Sequence, residues 1–208
     1  MHTYMHTLNR FQNPDTLSLD PLYTYKVVVH SVPEVVLDSI KLIPGKHTVI
    51  NIKSPLGKLN LKISGNDNPY NGINCIVKSN NQNSILNVQK MNTNKQYLVG
   101  SYDLEVLSIP RIKFKDVKIN QSKMTDIVIP LYGSIQVNKS DGPAALFLKD
   151  KGKNIWVYDF NEERSIENLN IQPGNYFICF RSNRSNSIAH TILKDFKITS
   201  AQNINFKL

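Results

Sequence analysis

The sequence has few of the residues that a catalytic or metal-bearing domain relies on. Only two cysteines, Cys75 and Cys179, occur in 208 residues, and a single pair cannot form the disulfide framework of a small secreted domain. Both lie in apolar runs (INCIV and FICF), where a free cysteine behaves as a small hydrophobe, so buried thiols are expected. No run approaches the roughly 20 apolar residues of a membrane span, and the start MHTYMHTLNRFQ lacks the basic-then-apolar pattern of an export signal. A soluble chain without a membrane span is expected. The nine glycines form no phosphate-cradling loop, no serine stands in a nucleophile elbow, and no short motif pairs two carboxylates. Of the five histidines, His2 and His6 have a spacing that suits a metal only on a helix, which the neighbouring Thr and Tyr disfavour. His30, His47 and His190 have no Cys, Asp or Glu at ligand spacing. No catalytic residue, metal or cofactor is expected, and the chain reads as no enzyme.

What the sequence has is positive charge, +9 at pH 7 with a pI near 9.5. The basic residues are scattered singly, as in Lys58 and Lys62 or Lys113, Lys115 and Lys118. Nucleic-acid binders cluster them on one face with interleaved aromatics, so no nucleic acid is expected. Lysines spread over strands also protect sheet edges from aggregation. Asparagine-rich stretches such as SNNQNS and FRSNRSNS read first as turn chemistry.

The deciding signal is an internal repeat. YKVVVHSVPEVVLDSIKL from Tyr25 aligns without gaps on YDLEVLSIPRIKFKDVKI from Tyr102, pairing Ser31 with Ser108, Pro33 with Pro110 and Ile40 with Val117 at one offset, 102 − 25 = 77. The register runs on through Thr48 and Thr125, Ile50 and Ile127, and Ile52 and Ile129, then slips by one at Gly57 and Gly133. A third copy follows from NYFICF around Tyr176 to NINFKL at the end, with Phe196 on Val117 and Ile204 on Ile127. Within each copy, period-two runs such as GKLNLKI, INCIVK, SILNVQK, YDLEVLS and IKFKDVKI are separated by Gly, Asn, Pro and Ser, a strand signature. The fold class expected is all-β, a tandem of antiparallel β-sandwich modules, Ig-like or prealbumin-like. The last strand ends at Leu208, which sets the frame: 1–22 a leader or linker, 23–56 a partial module of three strands, 57–131 one complete module and 132–208 another. An orphan half-module cannot bury its apolar face alone, so the partial module is expected to be covered by residues 1–22 and its neighbour or to associate with a second chain.

Three sets of residues stand out. Gly100-Ser101-Tyr102 and Gly174-Asn175-Tyr176 each open a strand, the pattern of a tyrosine corner whose phenol bonds backbone. Trp156, Tyr158 and Phe160 alternate along one strand. Aligning NIWVYDF on SILNVQK puts Trp156 on Leu86 and Tyr158 on Val88, an aliphatic face, so the three are expected in the core. The alternative is a carbohydrate-binding platform using Trp156 and Tyr158. Arg181 and Arg184 lie in FRSNRSNS, a connection about five residues longer than its counterpart, and long loops on rigid sandwiches are where binding resides. They are the candidate binding loop, a solvated Asn/Ser turn being the plainer reading.

The phrases LDPLYTYKVVVHSVP, IPGKHTVI, KINQSKMTDIVIP and IQPGNY resemble the C-terminal β-sandwich repeat region of bacterial von Willebrand factor A domain-containing proteins. The resemblance covers residue 17 to the end. The family's Asp-x-Ser-x-Ser metal motif belongs to the A domain and is absent from this sequence, so no metal site carries over. The resemblance implies an accessory scaffold or protein-interaction segment in a cell-envelope, extracytoplasmic setting, with a protein partner or an envelope glycan as its ligand.

Overall fold

The structure, a computed structural model, describes residues 16–68, 72–80, 84–184 and 190–208. They form sixteen strands and no α-helix, and none of them belongs to a helix long and apolar enough to cross a membrane. The described residues divide into two compact units, one holding 16–30 together with Glu34–Ser54, the other holding Ser31–Pro33 and the described residues from Pro55 to Leu208.

The larger unit contains two sandwiches of the same design. In the first, β3 (Leu56–Ile63), β6 (Thr93–Leu98) and β9 (Met124–Ile129) form one sheet in the order β6-β3-β9. The facing sheet is β5-β4-β7-β8, from β4 (Asn74–Ser79), β5 (Ile85–Lys90), β7 (Gly100–Val106) and β8 (Ile112–Ile119). In the second, β10 (Gly133–Asn138), β13 (Ile166–Ile171) and β16 (Asn203–Lys207) form β13-β10-β16. Opposite them, β11 (Ala144–Asp150), β12 (Lys153–Phe160), β14 (Gly174–Phe180) and β15 (Ile192–Ile198) form β12-β11-β14-β15. The ladders are antiparallel except that the first strand of each sandwich runs parallel to its last, β3 with β9 and β10 with β16. The expected all-β sandwich class is what the chain adopts.

Alternation along the strands builds both cores. Leu59, Leu61, Cys75, Val77, Tyr97, Leu104 and Val106 are buried in the first, and Ile135, Leu146, Phe160, Ile171, Tyr176, Ile178 and Phe180 in the second. Cys75 is the buried thiol expected, its pKa pushed up to about 12 by burial, while Cys179, expected to be buried as well, is only half-buried because its side chain lies on the outward face of its strand. The glycine that opens each sandwich is there for close approach. A Cβ on Gly57 would lie 2.2 Å from the Asn120 carbonyl oxygen, and one on Gly133 would lie 2.6 Å from Ile198 Cδ1 and 2.8 Å from the Gln202 carbonyl oxygen. In both cases the turn before the last strand closes over the first.

The tyrosines at the repeat positions are corners. The Tyr102 hydroxyl donates to the Leu98 carbonyl at 2.7 Å, and the Tyr176 hydroxyl to the Gln172 carbonyl at 2.7 Å. Burial raises the pKa of both phenols. The amides of the same two residues are also engaged: Leu98 N–H donates to the Val32 carbonyl at 2.8 Å and Gln172 N–H to the Ile109 carbonyl at 2.7 Å. Val32 and Ile109 each precede a cis proline, Pro33 and Pro110, and each packs on the core it bonds to. Ser31 and Ser108 shape these segments, their hydroxyls donating to the Pro33 and Pro110 carbonyls at 2.6 and 2.7 Å. The segment 108–110 therefore ties the first sandwich to the second.

The smaller unit is a hairpin of β1 (Thr24–Val29) and β2 (Val35–Lys41). Its Tyr25 hydroxyl donates to the Asp20 carbonyl at 2.7 Å, a third corner. Its bulge after Tyr25 and the left-handed Ser39 (φ 61°) correspond to the bulge after Tyr102 and Asp116 (φ 56°) at the repeat offset. The expectation of three strands is corrected to two, because residues 47–55 are not in a strand. The counterpart of that segment, β9, takes its ladder from the first strand of its own sandwich, and no such strand exists among the described residues of the hairpin unit. The expected covering by residues 1–22 falls largely outside the described residues.

Glu105 on β7 is buried between two cations, bonded by Lys78 Nζ at 2.8 Å and Arg111 Nη1 at 2.9 Å. These hydrogen bonds hold its carboxyl down to about 2 against the opposing effect of burial. A depressed carboxylate stabilises the fold above its unfolded pKa, about 4.3, and loses that contribution as pH falls toward its folded one. Glu105→Gln is expected to lower the melting temperature at pH 7, with the gap to wild type closing between about pH 4.3 and 2 in a series of thermal melts. For the corners, Tyr102→Phe and Tyr176→Phe are each expected to cost about 1–3 kcal/mol, the cost of leaving a buried carbonyl unpaired. Denaturant titration should show losses of similar size.

Candidate interaction surface

The outward face of β12-β11-β14-β15 carries an unusual set of side chains. In β11, Ala144, Leu146 and Leu148 point into the core, which leaves Ala145, Phe147 and Lys149 outside by strand alternation. In β14 the same logic places Asn175, Phe177 and Cys179 outside. Register then aligns a cross-strand row: Trp156 opposite Phe147, Phe147 opposite Phe177, Phe177 opposite Asp195.

Trp156 is 58% exposed, and its indole N–H donates to Asp159 Oδ1 at 2.8 Å. The Phe147 and Phe177 rings are stacked at 4.9 Å with 6° between their planes, standing side by side at about the spacing of neighbouring strands. Lys149 Nζ lies 5.5 Å from the Phe177 ring centre, within cation–π range, and pairs with Asp195 Oδ2 at 2.7 Å. Leu193 on β15, 66% exposed, extends the apolar surface. A shallow cleft of about 400 Å³ beside the row is lined by Lys149, Asn154, Phe177, Leu193 and Asp195 among others.

The expectation of a buried Trp156 is corrected, and the reason is a β-bulge. Pairing shifts between Leu146 and Phe147, so Leu146 faces Tyr158, Phe147 faces Trp156 and Val157 is skipped. The first sandwich has the same bulge: Val77 faces Asn87, Lys78 faces Ile85, and Leu86 is skipped. Tyr158 thus corresponds to Asn87 and Trp156 to Ile85, one residue away from the sequence alignment. A slip of one flips every side chain to the opposite face. Tyr158 and Phe160 do pack into the core, where the Tyr158 hydroxyl donates to Glu167 Oε1 at 2.5 Å and has its pKa raised by that bond and by burial. A platform of Trp156 with Tyr158 does not form.

Sequence reasoning missed Phe147 and Phe177. They are 30 residues apart (177 − 147), and only the β11–β14 pairing brings them together. At the corresponding places the first sandwich carries Lys78 and Asp103. Arg181 and Arg184 are exposed, past the end of β14. Arg181 N–H donates to the Pro143 carbonyl at 3.2 Å, and Asn183 N–H to the Asp141 carbonyl at 2.9 Å. A Cβ on Gly142 would lie 2.2 Å from the Arg181 carbonyl oxygen, so the start of this connection is folded tightly onto the loop before β11. The structure brings neither arginine into the aromatic row. Among the described residues no three His, Cys, Asp or Glu side chains gather as metal ligands.

The single tryptophan gives a direct check on this face. Acrylamide should quench its fluorescence strongly in the native protein, approaching the quenching seen after denaturation, and a weakly quenched native spectrum would return Trp156 to the core.

No family model matches the chain, and neither does any curated protein. Among solved structures it is similar to the Bacillus anthracis TIE protein, with a TM-score of 0.30 and 12% identity over 74% of this chain and 34% of that one. It therefore spans about a third of that protein's length. It is also similar to a streptococcal ancillary pilin, with a TM-score of 0.36 and 8% identity over 89% of this chain and 75% of that one.

Proposed function

We propose that this chain is a non-enzymatic scaffold and interaction segment whose last sandwich presents the face of Trp156, Phe147 and Phe177 to a protein partner. One observation carries the reading: two sandwiches of the same topology differ at three corresponding outward positions, and the second has Trp, Phe and Phe where the first has Ile85, Lys78 and Asp103. Trp156 is exposed while Phe147 and Phe177 are half-buried beside it; a large aromatic left in water is an informative exception to burial, and aromatic anchors dominate the energetics of protein interfaces. Association through the hairpin unit remains within the proposal, as do Arg181 and Arg184 as a second, separate loop for binding. So does placement beside a von Willebrand factor A domain in an extracytoplasmic, cell-envelope protein, which rests on the sequence phrases that resemble that family.

A second reading, a carbohydrate-binding module, is favoured by the exposed indole of Trp156. The inward Tyr158 leaves it a smaller flat surface than a platform of Trp156 with Tyr158 would have offered. Both readings are tested by titrating wild type and Trp156→Ser with purified envelope proteins and envelope glycans while following tryptophan emission and direct binding. A protein that shifts the emission of wild type and binds the variant at least about 30-fold more weakly, as expected for a hot spot of 2 kcal/mol or more, is the expected result. A glycan with that behaviour selects the second reading, and binding indifferent to Trp156 removes both.

A further inference from the structure

Among the described residues, the buried side-chain polar atoms that lack a hydrogen-bond partner are Nε2 and Oε1 of one amide, Gln172. The residue is 5% exposed. It sits at the joint: its N–H holds the Ile109 carbonyl from the first sandwich and its carbonyl receives the Tyr176 hydroxyl. Leu98, which makes the same two main-chain bonds in the first sandwich, is apolar. A buried amide without partners loses its hydration and gains nothing in exchange, so burial at this position is opposed in a way that burial of a leucine is not.

The other elements of the joint are firmly held. The segment carrying Ile109 is fixed to its own sandwich by Ser108 bonding Pro110 and by Arg111 bonding Glu105, which Lys78 also grips. Leu131, in the link to β10, packs on the first core. Among the described residues no strand of one sandwich pairs with a strand of the other. The least favourable element at the joint is therefore the contact at Gln172.

We propose that this joint is a hinge: it opens by releasing the Ile109 carbonyl from the Gln172 N–H, letting the Gln172 side chain reach water while each sandwich stays folded. Hydrogen exchange of individual amides in the full chain tests it, because local opening exposes an amide without global unfolding. The Gln172 N–H should exchange at least about tenfold faster than the β14 ladder after correction for intrinsic rates. The Leu98 N–H should lie closer to the β7 ladder. Gln172→Leu and Gln172→Met, which remove the unpaired amide at similar volume, should slow exchange at position 172 about tenfold and reduce the radius of gyration in solution scattering. If the Gln172 N–H is already as protected as the β14 ladder, or if the apolar variants exchange as fast as wild type, the amide is satisfied in the closed joint and the hinge is refuted. Should neither variant fold, the comparison of the Gln172 and Leu98 amides in wild type decides the matter alone.

Discussion

One residue in each sandwich has both of its main-chain groups committed outside the strands, and the array depends on it. At Leu98 and Gln172 the carbonyl is fixed by the corner tyrosine and the N–H by a carbonyl from a Ser-x-Pro segment. A buried peptide group must pair somewhere, and here pairing does two jobs. The tyrosine locks the crossover between sheets, and the locked crossover offers its remaining donor to the Ser-x-Pro segment that precedes the sandwich. Val32 and Ile109 then bring an apolar side chain to the same place, so each of these contacts couples one hydrogen bond to a small addition of core.

The residues that build these contacts were legible in the sequence. Tyr25, Tyr102, Ser31, Ser108, Pro33 and Pro110 match at a single offset because the same local geometry recurs wherever they stand. Two features escaped for physical reasons. The bulge that skips Leu86 and Val157 leaves the alternation of hydrophobic residues intact along the sequence, yet reverses which side of the sheet Trp156 faces. Ile50 and Ile52 alternate as a strand should, but a strand also needs a neighbour, and the pattern of one segment says nothing about whether its partner is present.

The interiors of the two sandwiches show how one design accepts different chemistry. In the first, Tyr97 is buried with its hydroxyl donating to Gln89 and accepting from Asn87, while the Gln89 amide donates to the Leu59 and Thr93 carbonyls. Desolvation lifts the Tyr97 phenol to about 12 despite the bond from Asn87. In the second, register puts Ile171 in the place of Tyr97, and Tyr158 and Phe160 in the places of Asn87 and Gln89. The bulk has moved from one sheet to the other, and a satisfied polar network has been exchanged for aromatic packing, including an edge-on contact of Tyr158 with Phe160. Space is kept in the core while polarity is not. On the outer faces neither constraint applies, and the residues there are free to diverge.

The parallel alignment of first and last strands has a mechanical meaning. Because β3 runs beside β9, and β10 beside β16, in the same direction, the chain enters each sandwich at one end of that pair and leaves at the other. Tension along the chain therefore pulls the two strands past each other lengthwise, and the whole row of hydrogen bonds between them must yield together, whereas a hairpin pulled from its open end would unzip rung by rung. A segment built this way resists stretching within each of its sandwiches.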